Sequence, residues 1–281
     1  MGKKSITLTD KQLKKLHDVE LEILKEFDRI CRKNKIEYYL IGGSLIGAVR
    51  HNGFIPWDDD VDVCLTRDNY DKFIKVQAKE LDKKRFFFES IETDKECGML
   101  FSKLKRKDSK YLEVTSSKDD SRAGIWIDVF AFDNIKDDSF FSKLRYFHIY
   151  CLKMILLKKY NHLNYMEDKK KNTIIKIISI LSVFYNGERL KKRLSKLMRK
   201  DNNKDTKMIA SYAGTYLFKE IIDKEYLTDP IEHDFESLKV FIPKRYDEIL
   251  RHYYGDYMKL PPKDKRVCHP VLEIKFPKEK D

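Results

Sequence analysis

Thr9-Asp10-Lys11-Gln12 has the polar spacing of a capping box, and behind it Leu13, Leu16, Ile23, Leu24, Phe27 and Ile30 return at helical intervals. The pattern predicts a long opening helix over about 9–34. Residues 37–41 carry two tyrosines, a leucine and an isoleucine, which predicts a strand running into a tight Gly42-Gly43-Ser44 turn; a short helix over 45–51, stopped by Gly53, follows. Asp60-Val61-Asp62-Val63-Cys64-Leu65 alternates strictly, so in a strand both acids emerge on one face while Val61 and Val63 enter the core. Thr66 is placed to cap a helix reaching about Leu81. The stretches 86–91, 100–106 and 110–114 read as short strands, and 125–130 as another, with Asp128 its single acid among bulky apolar neighbours. From about Asp137 the period turns helical, at 138–160, 171–185 and 187–200. The fold class expected is α+β: a mixed sheet with flanking helices over 1–135, then a mainly helical half over 136–281 whose last segment packs back on the core.

Composition adds that a core is affordable. Of 281 residues 42% are hydrophobic, with 17 Phe and 16 Tyr, which excludes disorder as the main state. The five cysteines are odd in number and lack CxxC spacing, so neither a disulfide framework nor a cysteine zinc site is supported. No signal-like apolar run follows Met1-Gly2-Lys3-Lys4 and no stretch approaches the roughly 20 apolar residues of a membrane span, so a cytoplasmic protein is expected.

Charge is uneven. The chain holds 58 Lys and Arg against 46 Asp and Glu, a net +12, and the stretch 153–207 alone holds 16 basic and five acidic residues. Within it Lys169-Lys170-Lys171 and Lys191-Lys192-Arg193 flank Ile174, Ile175, Ile177, Ile178, Ile180, Leu181, Val183 and Phe184. That run is too short to span a bilayer but suited to lie in an anionic interface, on the inner face of the membrane; ordinary helix packing beneath a lysine-rich surface explains it as well.

The chemistry concentrates at 42–65. Two carboxylates one residue apart at a strand end, joined by a third from a neighbouring strand, supply the hard oxygen ligands of a divalent cation, and Asp60, Asp62 and Asp128 fit that arrangement. Three such groups in one pocket repel one another unless a cation neutralises them. Mg²⁺ is the first choice and Mn²⁺ the substitute, bridging phosphate oxygens and offsetting charge on a transferred phosphoryl group, with Asp128 best suited to act also as general base. A Gly-Gly-Ser turn lets backbone N–H groups approach phosphate. Alone, an Asp-x-Asp is ordinarily a solvated strand end and Gly-Gly-Ser an ordinary turn. Asp58, Asp59, Asp60 and Asp62 together make a like-charge cluster with no evident structural use.

The stretch GGSLIGAVRHNGFIPWDDDVDV at 42–63 resembles the signature of the LicD family, a branch of the nucleotidyltransferase-fold superfamily that includes bacterial phosphocholine transferases and fukutin-type phosphoribitol transferases. Ile125-Trp126-Ile127-Asp128-Val129-Phe130 is similar to that family's third-carboxylate strand and 245–270 to its C-terminal block, while about 135–235 matches in character more than in motif. The resemblance implies Asp60 and Asp62 as metal ligands, Asp128 as the third acid, and Gly43 and Ser44 at the nucleotide phosphates. The Ser44 to Asp60 spacing is longer than in the generic superfamily pattern, filled by the insert at 50–57, which argues against antibiotic or tRNA nucleotidyltransferase chemistry.

Other residues leave two readings open. Arg50 can hold a phosphate oxygen or pair with a nearby aspartate. His51 is a ligand contact or a satisfied structural histidine. Trp57 stacks on a base, shields a choline-like cation, or packs in the core. Lys103 and Lys105 share one face of a strand, where they present amines to phosphate or solvate a sheet edge. His269 or Lys263 reaches the site, or the aromatic turn at 253–257 merely ties the tail down. The expected reaction is transfer of a phospho-alcohol from a CDP-activated donor, CDP-choline before CDP-ribitol or CDP-glycerol, to a glycan hydroxyl such as that of a lipopolysaccharide, teichoic acid or capsule, lipid-linked where the basic helix lies on a membrane. The contrasting class is a non-catalytic protein binding membranes or RNA through 153–207; no nucleic-acid partner is expected, since that stretch lacks an RNA module and its apolar residues are aliphatic.

Overall fold

The computed structural model describes residues 5–113, 123–163 and 169–278, with the side chains of 169–172 left out. Helix α1 (Asp10–Lys33) opens on the capping box: the Gln12 N–H donates to the Thr9 hydroxyl and the Gln12 side chain accepts from the Thr9 N–H at 3.0 Å. Its apolar stripe lies buried against a mixed sheet. In that sheet β1 (Tyr39–Leu40), β2 (Asp62–Thr66), β6 (Trp126–Ile135), β4 (Ser102–Arg106) and β3 (Phe86–Glu89) lie side by side in that order. Only the β2–β6 pair is parallel, because α3 (Arg67–Glu80) and the strands that follow it lie between the two in sequence. Thr66 stands at the N-cap of α3 as expected, without a side-chain capping bond.

Helix α2 (Gly42–His51) differs from its expectation. Gly-Gly-Ser is the first turn of the helix rather than a turn ahead of it, because Gly42 takes φ +61° and reverses the chain within one residue. The helix ends on Asn52 in the left-handed region, one residue before Gly53. The stretch read as a strand at 110–114 is β5 (Lys110–Glu113), with Val114 outside the described residues; it leaves the main sheet to pair with the C-terminal β11 (Val271–Lys275).

Helices α4 (Phe140–Lys159), α5 (Lys169–Val183) and α6 (Gly187–Met198) stand where helical spacing predicts them. The mainly helical expectation ends there. After Lys207 come β7 (Met208–Ala210) and β8 (Ile221–Asp223), which extend the sheet from the far end of β6, and then the hairpin of β9 (Pro230–Phe235) and β10 (Leu238–Pro243). Helix α7 (Tyr246–Tyr254) follows. These strands are three to six residues long and carry charges at most outward positions, so their apolar period is too brief to show before pairing supplies it.

Two apolar clusters result. The larger packs α1, α3 and the β9–β10 hairpin on the sheet; the smaller gathers α4, α6, β7 and β8 around Ile135, the last residue of β6. Between them a buried bidentate pair, Arg67 at the start of α3 to Asp133 on β6 at 2.8 Å twice, ties the layers together, with the Asn202 amide donating to the same carboxylate. Among the described residues no helix is long and apolar enough to cross a membrane.

Candidate active site

Strand register assembles the site. In the parallel β2–β6 pair Asp62 stands opposite Asp128, Lys103 on β4 stands opposite Asp128 from the other side, and Glu89 on β3 stands opposite Lys103. Register partners share one face of a sheet about 5 Å apart. A row Asp62, Asp128, Lys103, Glu89 therefore crosses four strands. Lys103 Nζ lies 3.1 Å from Asp128 Oδ1 and 3.5 Å above the Trp126 ring. Lys105, two residues along, reaches Glu89 at 2.6 Å. The two lysines share a face, but β4 lies inside the sheet and both are buried, which excludes the solvated-edge reading.

Helix α2 abuts the acids. The Asp62 N–H donates to the buried Ser44 hydroxyl at 2.9 Å and the Asp62 carbonyl accepts from the Ile41 N–H at 3.1 Å, so the helix start and the acid strand hold one another in place. A Cβ on Gly42 would stand 2.8 Å from Asp62 Oδ2, and one on Gly43 would collide with the Asp58 carboxylate. Glycine is required at both because the carboxylates crowd the helix N-terminus, whose partial positive charge favours them there.

The cluster is electrostatically unsatisfied. Burial, then repulsion from neighbouring acids, pushes the carboxyls of Asp60 and Asp62 well above the ordinary range, and burial followed by the Asp59 charge lifts Asp58 to about 6. Asp128 is raised by burial, with Lys103 opposing the rise. Burial also raises Asp59, but hydrogen bonds from His269 and Tyr111 overcome it and hold that carboxylate low. The Tyr111 hydroxyl donates to Asp59 Oδ2 at 2.5 Å, and His269 holds the same carboxylate through its backbone N–H and through Nδ1 at 2.9 Å. That bond raises His269 to about 9, so a cation stands 4.0 Å from Asp60 at neutral pH.

Two cavities meet at these residues. The larger, about 360 Å³, is lined by Asp60, Asp62, Asp128 and His269 at one end and by Tyr216, Glu220, Tyr253 and Tyr254 among its other walls. The smaller, about 170 Å³, takes Lys103, Lys105, Tyr111 and Trp126 with Leu157 from the last turns of α4 and His162 just beyond it. Both include Asp60, Phe101 and Asp128.

Residues 35–154 match the family described as LicD/FKTN/FKRP, nucleotidyltransferase domain. Over 96% of its length the chain is 32% identical to the lipopolysaccharide cholinephosphotransferase LicD of Haemophilus influenzae, 98% of which is covered. The chain belongs to the LicD family. A shorter stretch of 84 residues is 32% identical to the human ribitol 5-phosphate transferase FKRP, covering 28% of this chain and 16% of that protein. The LicD-matching stretch holds the three carboxylates and both lysines, whereas His269, Glu220 and the tyrosines of the larger cavity come from beyond it.

Within this LicD-family site Asp60, Asp62, Asp128, Lys103, Lys105 and His269 are brought to the cavities. Gly43 and Ser44 stand behind the acids. Arg50, His51 and Trp57 line neither cavity: Arg50 donates to the Tyr257 carbonyl at 2.6 Å and to His51 Nε2 at 3.0 Å, and the Trp57 ring lies 5.0 Å under the Arg266 guanidinium. These three anchor the C-terminal segment to the end of α2, and Lys263 lies on an exposed turn. Sequence reasoning missed Glu20, a buried carboxyl on α1 that burial and then Asp60, Asp59, Asp58 and Asp128 push well above the ordinary range, and whose Oε2 has no hydrogen-bond partner among the described residues. Its signal was present: an acid on the apolar stripe between Leu16 and Leu24. Tyr216 and Glu220 carried no comparable signal.

The donors suit a hard divalent cation, oxygen ligands whose mutual repulsion a cation relieves. Among the described residues, however, no three Asp, Glu, His or Cys side chains are grouped closely enough to hold one in this arrangement.

Proposed function

We propose that this chain transfers phosphocholine, in a nucleotidyltransferase-like site, from CDP-choline to a hydroxyl of a cell-surface glycan, releasing CMP. The observation that carries the reading is the row of Asp62, Asp128 and Lys103, with Asp60, opening into two cavities at once. One cavity suits the activated donor and the other the acceptor, with the shared acids between them. The relative that spans the whole chain is named for cholinephosphotransfer to lipopolysaccharide.

The acceptor O–H gives its proton to Asp128 as its oxygen forms a bond to the distal phosphorus, and the phosphoanhydride bond breaks with its electron pair leaving on CMP. Lys103 opposes the rise that burial gives the Asp128 carboxyl, and the charged His269 faces the larger cavity, where it attracts pyrophosphate. Asp60, Asp62 and Asp128 would hold Mg²⁺ or Mn²⁺, which when bound would neutralise the acids and the charge developing on the phosphates. The alcohol end of the donor meets an aromatic corner. Tyr216, Tyr253 and Tyr254 stand 5.8 to 6.3 Å apart, centroid to centroid, with tilts of 46 to 90°. Beside them is Glu220, a buried carboxylate that accepts from the Tyr216 N–H and the Tyr253 hydroxyl. Tilted rings around an acid favour a quaternary ammonium over a polyol.

The test is CMP release by the purified chain with Mg²⁺ and glycan acceptors from CDP-choline, CDP-ribitol and CDP-glycerol in parallel. Turnover is expected with CDP-choline and is expected to stop with a chelator. Absence of CMP from every donor overturns the transferase reading, while preference for CDP-ribitol or CDP-glycerol overturns the choline assignment alone.

A further inference from the structure

Helices α4 and α5 carry an apolar surface that the transfer site does not use. Ten of the seventeen large apolar side chains exposed among the described residues fall in 140–184. On α5 Ile174, Ile177 and Leu181 recur at helical spacing on the outer face, with Phe184 exposed just past its end, while Ile175 and Ser182 are buried against the molecule. Phe184 is 80% exposed and Val183 77%, whereas an ordinary surface helix turns polar residues outward. The same part of the chain holds nearly all the positive surplus, 16 basic against five acidic residues over 153–207, of which Lys153 and Lys191 are buried on backbone carbonyls and Arg199 pairs with Asp71.

Charge decides what covers this face. A second copy would bring an equal positive surplus against the first, whereas an anionic bilayer offers both an apolar layer and neutralising headgroups. Position points the same way. The Lys159 ammonium donates to the Ser182 carbonyl at 3.3 Å, which ties the exposed end of α5 to the end of α4, beside Leu157 and His162 of the smaller cavity.

We propose that the outer face of α5 lies in the interfacial layer of an anionic phospholipid bilayer, with the surrounding lysines and arginines on the headgroups, so that the smaller cavity opens beside the membrane surface. Docking stands independently of the transfer reading; only the corollary that the acceptor is a lipid-anchored glycan rests on it.

The experiment is flotation of the full chain with vesicles of phosphatidylglycerol and phosphatidylcholine, and with phosphatidylcholine alone, at low and raised salt, without donor. The expected result is binding to the anionic vesicles alone, weakened by salt and weakened at least about tenfold in Ile177→Asp and again in Phe184→Asp, the loss of one buried aliphatic or aromatic side chain in each case. Both variants are expected to keep the parent's circular dichroism and its CMP release with a water-soluble acceptor. Failure of the parent to float with anionic vesicles overturns the proposal. So does binding that both variants retain, or a parent dimer in solution that the variants dissociate, which would make a second copy the occupant. Floating vesicles with no CMP release from any donor would leave docking standing and sink the transfer reading instead.

Discussion

Strand β6 carries two buried aspartates five residues apart that live in opposite electrical worlds. Asp133 is fully answered, by two guanidinium bonds from Arg67 and an amide bond from Asn202. Asp128 shares its pocket with Asp60 and Asp62, and Lys103 at Asp128 and His269 near Asp60 are left to answer the group. An ion pair matched donor for acceptor fixes structure; a crowd of acids that outnumbers its cations stores unfavourable charge that a bound cation relieves. The contrast separates scaffold from site within a single strand.

Mutating the two ends should break that contrast in opposite ways. Asp62→Asn is expected to cut CMP release by about a thousandfold or more while leaving the thermal midpoint unchanged or raised, since a like-charge contact is relieved; steady-state kinetics with a melting curve reads both, and retained activity would sink the assignment. Asp133→Ala, at the other end, leaves the buried Arg67 with its longer contact to Glu92 at 3.4 Å and is expected to cost about 3 kcal/mol in denaturant unfolding, with turnover per folded molecule preserved. Lys103→Met should lower CMP release by roughly a hundredfold and move the acid limb of the pH profile upward, because Asp128 loses the cation that opposes its raised pKa. A profile that does not move would refute the role given to Lys103.

Smaller effects sharpen the picture. Tyr254→Leu is expected to raise KM for CDP-choline about tenfold and leave that for CDP-glycerol within about twofold, a comparison in which equal losses would dismiss the aromatic corner. Asp137, ahead of α4, accepts from the N–H and hydroxyl of Ser139 and from the Ser142 hydroxyl, which lower it to about 2. Its folded pKa lies below the unfolded one, so its contribution is present above about 4 and is lost as pH falls toward about 2. Asp137→Asn should lower the thermal midpoint slightly at neutral pH, and the gap should close on acidification.

Much of this was legible beforehand because the signals are local. The capping box of α1, the alternation through Asp62, and the helical periods of α4, α5 and α6 depend on residues a few positions apart, and each element formed within a few residues of its expected bounds. Asp60 and Asp62 stood out because like charges clustered without a structural use, and Asp128 as the single acid among bulky apolar neighbours. The strands after Lys207 did not show, since a three-residue strand has no period of its own.

What the sequence by itself determined is therefore the identity of the acids, the order of most elements in the first two hundred residues and membership-bearing motif, all carried by neighbours along the chain. What only the tertiary structure decided is which partners those residues meet: that Lys103 answers Asp128, that Arg50 and Trp57 serve the tail and not the cavity, that Glu20 joins the acids and that three tyrosines converge beside Glu220. Register and packing between distant segments set those distances, and the energy of a buried charge depends on its surroundings in space, which no local pattern specifies.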